Sequence, residues 1–272
     1  QILKTFLASN ADVRSVFSQK REIKHVALVV YSSNSSLCGG FNANAIKLMQ
    51  QAVEEYSYIG KENIIIYSIG RKVAEKVNKL GLRSAGNFQA LADKPNIADC
   101  ITIARELGEK FIAGELDRVE LIYHHFKSAG SQILTRKTFI PIDIEEQLAE
   151  DKERDLKSNV VTREAQEYLR RRDRQQVHHE QKAAKPLNDN FIVEPSIEVV
   201  LRKLIPKLAH LMLYTALLDN VASEHAARMV AMQTATDNAD ELLRQLRLQY
   251  NKSRQQAITN ELLDIVGGSV NR

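Results

Sequence analysis

The amino-acid sequence predicts an α/β protein that continues into one very long C-terminal helix. Apolar, strand-like runs alternate with segments of helical spacing between residues 25 and 142. Between residues 143 and 194, charges alternate in sign and large apolar residues become rare. From Lys207 to Val266 the chain has neither glycine nor proline, so it can form an unbroken helix roughly 90 Å long.

These observations divide the chain into four parts. The parts are the end of an N-terminal helix and a linker over 1–24, the α/β domain over 25–142, a charged linker or insert over 143–194, and the long helix over 195–272. Near the start, Ile2, Leu3, Phe6 and Leu7 form one apolar helix face. Pro206 is expected at the start of the long helix or at a kink in it, because proline cannot donate a backbone hydrogen bond.

Strands are predicted where short apolar runs occur. Two β-branched runs, His25–Tyr31 and Ile64–Ile69, are typical of buried strands. A third run, Val119–Phe126, turns at Gly130 into the alternating segment Gln132–Ile140, and this pattern predicts a hairpin. The sequence therefore predicts a Rossmann-like sheet that is mostly parallel and has an antiparallel edge.

Helices are predicted between the strands. Apolar residues from Ala45 to Tyr56 have helical spacing, and Gly60 ends the segment. A short helix is expected over Arg71–Leu80 and a longer one over Ile97–Ala113, each followed by a glycine. Because helices separate the strands, the connections are those of parallel β-α-β units.

Composition and motifs exclude several functions. The net charge of +4 does not indicate a nucleic-acid-binding protein, and no apolar run is long enough to span a membrane. The two cysteines form no Cys-x-x-Cys pair, and there is no P-loop motif. Gly39-Gly40 follows a strand but does not complete G-x-G-x-x-G. We expect no catalytic, cofactor-binding or metal-binding residue. Two alternatives remain. One is a small α/β nucleotide-binding enzyme with a helical arm, and the other is a coiled-coil scaffold protein.

A heptad stripe runs along the long helix. Its members alternate in spacing between four and three residues, as the a and d positions of a coiled coil do. They are Met232, Thr236, Ala239, Leu243, Leu246, Tyr250, Ser253 and Ala257, preceded by Leu208, Leu211, Thr215, Leu218, Ala222, His225 and Met229. This stripe, called the seam below, predicts pairing with another helix; for 207–225 the alternative is simple packing on the chain's own sheet. After Ala257 the stripe gives way to an apolar tip, which indicates a partner surface.

Two regions of this sequence resemble the gamma subunit of F-type ATP synthases. Ser36–Asn44, after the first strand, is similar to the family's LCGGFN loop. In the long helix, three stretches are similar to its C-terminal signature: Ala222–Met232, Ala235–Ala239 and Tyr250–Glu261. The order and spacing of the four parts of the chain also match those of the family.

The resemblance implies a rotor shaft that has no active site of its own and couples proton flow to ATP synthesis. Its partners would be the alpha and beta subunits, the epsilon subunit and the membrane c-ring. It would lie peripherally at the cytoplasmic face of a bacterial plasma membrane, or in the equivalent organellar compartment. The long helix would form half of an antiparallel coiled coil. Residues implied to contact the alpha/beta ring are Arg228, Arg254, Gln255, Thr259, Glu261, Leu262, Ile265 and Val266.

The sequence also departs from the family pattern. Most of the family's N-terminal helix is missing, and Ser36 stands where the loop usually has glycine. The segment around 163–185 is more charged than expected, which indicates an insert. The paired-cysteine insert of photosynthetic relatives is absent, so no thiol switch is expected.

Overall fold

The computed structural model describes Phe17, residues 21–142 and residues 197–270. The predicted helix end near the start of the chain and the charged segment 143–194 fall outside these residues.

The described residues form five strands and five helices, with two short 3-10 turns between the first helix and the second strand. In chain order they are β1 (Val26–Tyr31), α1 (Phe41–Glu55), β2 (Ile64–Ile69), α2 (Arg71–Lys79), β3 (Arg83–Asn87), α3 (Gln89–Asp93), α4 (Ile97–Ile112), β4 (Arg118–Ser128), β5 (Ser131–Ile140) and α5 (Ile197–Val270).

The strands form one mixed sheet in the order β3-β2-β1-β4-β5. β1 pairs in parallel with β2 and with β4, and β2 pairs in parallel with β3. β5 runs antiparallel to β4 at the edge. The predicted Rossmann-like α/β fold with an antiparallel edge is therefore confirmed. The strand order reverses between β1 and β4.

The sequence did not predict β3 or α3. β3 has the sequence Arg-Ser-Ala-Gly-Asn, and none of its residues is buried. Hydrophobic patterns reveal only strands that bury side chains, whereas this edge strand is held by backbone pairing to β2. In addition, α1 begins at Phe41, earlier than its apolar spacing indicated.

Helices cover both faces of the sheet because the central strands are apolar on both sides. Val26, Leu28 and Val30 of β1 pack with buried residues of α1 and α2. The alternate residues of β1 pack with α4 and with the first half of α5. All six residues of β1 are buried, as expected for a strand between two helical layers.

α5 contains 74 residues, or about 110 Å, and extends beyond the glycine- and proline-free stretch Lys207–Val266 at both ends. Pro206 lies inside it rather than at its start. A proline there costs one backbone hydrogen bond. The neighbouring Ile205 is buried in the core, and its packing offsets that cost.

A buried ionic cluster fixes the antiparallel edge to α1. Glu120 of β4 is 2% exposed; its carboxylate accepts hydrogen bonds from Tyr56 Oη and from Arg136 Nε, each at 2.7 Å. Arg136 also pairs with Glu55 at the end of α1. Burial, together with the bond to Glu120, raises the pKa of Tyr56 to about 12. The cluster thus binds β4, β5 and α1 to one another.

We expect Glu120→Ala to destabilise the protein by about 3 kcal/mol, because it leaves the half-buried Arg136 and the Tyr56 hydroxyl without their main acceptor. Urea denaturation followed by circular dichroism measures this loss. Glu241→Ala is the matched control, since Glu241 pairs with Arg244 on the exposed part of α5 and its removal should leave the midpoint unchanged. Equal midpoints for the two variants would contradict the role given to Glu120.

Candidate functional surface: the projecting half of the long helix

The first half of α5 lies on the sheet by one face. Its buried residues recur every three or four positions, as one helix face does. They are Ile205, Ala209, Leu213, Ala216, Leu217, Asn220, Ser223, Glu224 and Ala226. From residue 232 to residue 266 every side chain is exposed. The helix therefore leaves the α/β domain near Ala231 and projects beyond it.

Polar contacts hold this docked half in a defined rotation about its own axis. Tyr31 Oη donates a hydrogen bond to the carbonyl oxygen of Leu213 at 3.1 Å. Asn220 Oδ1 accepts one from the backbone N–H of His124 at 3.2 Å. Ser223 Oγ donates one to the carbonyl oxygen of His124 at 3.1 Å. Directional bonds to β1 and β4 thus resist turning of the helix against the sheet.

The seam of the docked half lies on a different face from the one that packs on the sheet. Leu211, Leu218 and Met229 are seam residues and are 51%, 41% and 58% exposed. The alternative of simple packing on the sheet is therefore incomplete for 207–225, because the helix has two apolar faces there. One face is buried against the sheet, and no described residue covers the other.

The seam of the projecting half is uncovered as well. Leu243, Leu246 and Tyr250 are 48%, 55% and 67% exposed, and the remaining seam positions from Met232 to Ala257 are exposed with them. An apolar stripe of this length marks an interaction surface. An isolated helix gains little stability without such packing, so the stripe indicates a helical partner.

The loop between β1 and α1 supports α5 where the helix leaves the sheet. Asn42 organises this loop: its Oδ1 accepts from the N–H of Ser33 at 3.0 Å, and its Nδ2 donates to Cys38 Sγ at 3.1 Å. Gly39 has a φ of +58°, and a Cβ at that position would lie 3.9 Å from the Cβ of Ala231. Gly39 therefore stands beside the point at which α5 begins to project.

Arg228 joins this loop to the helix. Its guanidinium donates to Glu224 Oε1 at 2.6 Å and to the hydroxyl of Ser35. The Glu224 side chain is almost fully buried, so the pair is largely removed from solvent. Pattern-based analysis did not identify Ser35 or Glu224, although Glu224 lies in the quoted signature stretch.

The residues implied to contact a partner fall into two groups. Arg228 stands at the base of the projecting half. Arg254, Gln255, Thr259 and Glu261 lie roughly 40–50 Å further along the helix, all exposed. The apolar residues Leu262, Ile265 and Val266 follow them and are also exposed. The structure thus brings the tip residues together on one short stretch and places Arg228 far from them.

His124 and His125 of β4 have different surroundings. The His124 ring is buried and stacks on Phe41, with ring centroids 4.1 Å apart. Burial lowers the pKa of His124 to about 4, against the smaller opposing effect of the Asn220 side chain. His125 Nδ1 lies 2.8 Å from Asp219 Oδ2 on α5. The two rings therefore do not share one site.

Within residues 21–142 and 197–270, no group of His, Cys, Asp and Glu side chains is arranged to hold a metal ion. In the same residues, no helix is long and apolar enough to cross a membrane.

Comparison with known proteins decides the family. A family model described as ATP synthase matches residues 1–270. The ATP synthase gamma chain of Phocaeicola vulgatus is 47% identical over 269 residues, which cover 99% of this chain and 82% of that protein. The gamma chain of Flavobacterium johnsoniae is 38% identical, over 95% of this chain and 77% of that protein. The chain belongs to the ATP synthase gamma chain family. The resemblance stated from its motifs is confirmed.

Solved structures with the same fold include two mitochondrial ATP synthases. One is the central stalk and c-ring of the Tetrahymena thermophila enzyme, at 23% identity, with a TM-score of 0.52 over 87% of this chain and 86% of that chain. The other is an assembly of OSCP, F1 and c-ring from Euglena gracilis, at 19% identity, with a TM-score of 0.52 over 99% of this chain and 87% of that chain. Both share the fold of this chain.

The buried state of His124 gives a pH-dependence of stability. The pKa of His124 is about 4 in the folded state and the ordinary value is 6.5, so between these values the unfolded chain binds the proton more readily. Stability is therefore full above pH 6.5 and falls as the pH decreases to 4, by up to about 3 kcal/mol.

We expect His124→Phe, which keeps the stacking on Phe41, to show a smaller loss of stability over this pH range. Urea midpoints of both proteins between pH 4 and 7 measure the difference. His225→Phe, at an exposed position of α5, serves as the control and should follow the unmodified protein. Identical pH profiles for the unmodified protein and His124→Phe would contradict the assignment.

Proposed function

We propose that this chain is the central rotor shaft of an F-type, proton-translocating ATP synthase and that it has no active site of its own. The proposal rests on α5. Its first half packs on the α/β domain, and in its projecting half every side chain from residue 232 to residue 266 is exposed. Such an arm can transmit rotation from the domain to a partner that surrounds it. The family membership supplies the assembly in which this occurs.

The α/β domain is the foot of the shaft, beside the epsilon subunit and the c-ring, and proton flow turns ring and foot together. The projecting half of α5 stands inside the ring of alternating alpha and beta subunits. Its surface differs from side to side, so each orientation favours one conformation of a beta subunit over the others. A shaft can drive the catalytic cycle only through such differential contacts.

For the domain to transmit torque to the arm, α5 must not rotate about its own axis relative to the sheet. The bonds from Tyr31, Asn220 and Ser223 tie the docked half to β1 and β4. Arg228 adds a tie to the loop after β1, at the point where the helix loses the support of the sheet. These contacts favour a rigid connection at the base of the arm.

Contacts with the ring are made by exposed polar residues of α5. Arg254, Gln255, Thr259 and Glu261 offer hydrogen bonds and charge pairs, which form and break as the shaft turns. Arg228 is partly buried and already paired with Glu224 and Ser35, so it contributes at the base of the arm. A deeply interlocked apolar surface would instead hold one orientation. The apolar tip, with Leu262, Ile265 and Val266, turns in the sleeve at the top of the ring.

The enzyme alternative is disfavoured by the surroundings of the first loop. In open α/β sheets, ligands bind outside the carboxyl ends of the strands, where the strand order reverses. Here that loop is bonded to Arg228 through Ser35, and Gly39 faces Ala231. α5 therefore occupies the side of the loop that would have to admit a nucleotide.

The gamma chains of Phocaeicola vulgatus and Flavobacterium johnsoniae are bacterial proteins, and this supports a position at the cytoplasmic face of a bacterial plasma membrane. The chain is peripheral there, held by its partner subunits.

The test is reconstitution. We expect this chain, added to purified alpha and beta subunits, to give a complex of three alpha, three beta and one copy of the chain with raised ATP hydrolysis. Native mass spectrometry and a coupled ATPase assay measure both properties. A stable complex without stimulation would favour a scaffold that binds and does not turn, and would contradict the rotor function.

Removing two of the polar contacts in the projecting half of α5 should weaken the coupling of ATP hydrolysis to proton pumping. We expect Arg254→Ala combined with Gln255→Ala to lower ATP-driven proton pumping by the whole synthase about thirtyfold, because each lost hydrogen bond to a partner costs about 1 kcal/mol. Pumping by membrane vesicles measures the effect. Lys207→Ala is the control, because Lys207 is exposed on the docked half, away from the arm. Equal pumping by the double variant and the Lys207→Ala control would contradict the contact assignment.

A further inference from the structure

The ring and the backbone of His124 hold two different elements of the fold. The ring is 4% exposed and stacks on Phe41, the first residue of α1, with ring centroids 4.1 Å apart. The backbone N–H donates to Asn220 Oδ1 and the carbonyl oxygen accepts from Ser223 Oγ, and both partners lie on α5. Because ring and backbone belong to one residue, a displacement of the ring disturbs the bonds that hold α5.

The bonds from α5 to His124 lie beyond the part of β4 that is paired with β1. β1 pairs with β4 as far as Ile122, so His124 stands two residues past the last pair. Two side chains of α5, those of Asn220 and Ser223, bind the backbone there instead of a strand. These two bonds can therefore open without breaking any pair of the parallel sheet.

The elements around His124 offer no counter-ion for a charged ring. The first six residues of α1 are uncharged, and the loop between β1 and α1 contributes only the thiol of Cys38. On β5, Leu134 lies opposite His124. The nearby carboxylates on α5 and β4 are already paired, Glu224 with Arg228, Asp219 with His125, and Glu120 with Arg136. A proton on His124 would therefore place an unpaired charge among these groups.

A charged His124 ring is stable only outside its present position. In the described part of the chain, His124 Nδ1 has no hydrogen-bond partner, and the Oδ1 of Asn220 is already bound to the backbone N–H. Burial accordingly lowers the pKa of the ring to about 4. Since a buried charge without a partner is costly, protonation favours a conformation in which the ring reaches water.

His125 responds to protons in the opposite way. Its Nδ1 lies 2.8 Å from Asp219 Oδ2, and protonation of the ring turns this contact into an ion pair between β4 and α5. The two side chains are 31% and 28% exposed, so water screens the attraction and the gain is small. This pair therefore does not offset the cost of a charge on the buried His124 ring.

We propose that His124 is a proton-operated release for the docked half of α5. When the ring takes up a proton, the bonds from Asn220 and Ser223 to β4 open, and α5 loosens where it leaves the domain while the sheet stays paired. This step is a property of the chain alone. Only its consequence, weaker transmission of torque by the arm at low pH, rests on the proposed rotor function.

Hydrogen exchange of the full chain between pH 4.5 and 6, followed amide by amide with NMR and corrected for the intrinsic pH-dependence, is the test. We expect the His124 amide to be protected at least about tenfold less than the amides of the fully buried β1, because it opens locally. Its protection should fall about tenfold per pH unit, since the open form binds one proton more than the closed form. Equal protection of His124 and β1 would mean that only unfolding of the whole domain exposes this amide, and would overturn the proposal.

Three variants identify the group that binds the proton. His124→Phe keeps the stacking on Phe41 and His124→Gln is a second uncharged replacement, and protection of residue 124 should be independent of pH in both. His125→Gln is the matched control, because it can keep a hydrogen bond to Asp219 and should retain the tenfold fall per pH unit. A pH-dependence that persists in the two His124 variants, or one that disappears in His125→Gln, would overturn the proposal. Because none of these measurements involves other subunits, their outcome is independent of the reconstitution that tests the rotor function.

Discussion

The packing of one face of α5 on β1 and β4 is the constraint on which the rest of the molecule depends. β1 is buried on both sides, so the helix completes the core as well as leaving it. Leu213, Leu217 and Ala216 fill the space above the sheet, and Tyr31 binds the backbone of the helix beside them. A projecting arm can be rigidly directed only because its first half is part of the domain's core. Loss of this packing would free the arm and expose the sheet together.

Much of this architecture could be predicted from sequence because its main signals are periodic. β1, β2 and β4 are continuous apolar runs, which in an α/β chain belong to buried parallel strands. β3 gave no such signal, since an edge strand can be held by backbone bonds alone. Pro206 was expected at the start of the long helix or at a kink in it, and the structure places it inside α5. A local rule about proline does not include the burial of Ile205, and tertiary packing outweighed the local cost.

The surface was harder to predict than the fold. Periodicity identified the seam, but it could not show that a second apolar face of the same helix lies on the sheet, because the two faces overlap in sequence between 205 and 229. Nor could it pair Arg228 with Ser35, which lies far away in the chain. Contacts of this kind depend on how the loop after β1 folds back, and that geometry rests on the hydrogen bonds of Asn42. The contact roles of the tip residues came from resemblance, not from any pattern.

The projecting half of α5 has an exposed apolar stripe, so it is stable only when another structural element packs against that stripe. Over the docked half, the sheet provides burial for one face of α5; over the projecting half, none of the described residues does so. Helix propensity contributes little over this length compared with tertiary packing. The stripe must therefore be covered for the arm to remain ordered, while the polar residues beside it must stay free to contact a ring of subunits. A narrow a/d seam meets both requirements, because it confines the apolar contact to one side of the helix and leaves the other sides polar.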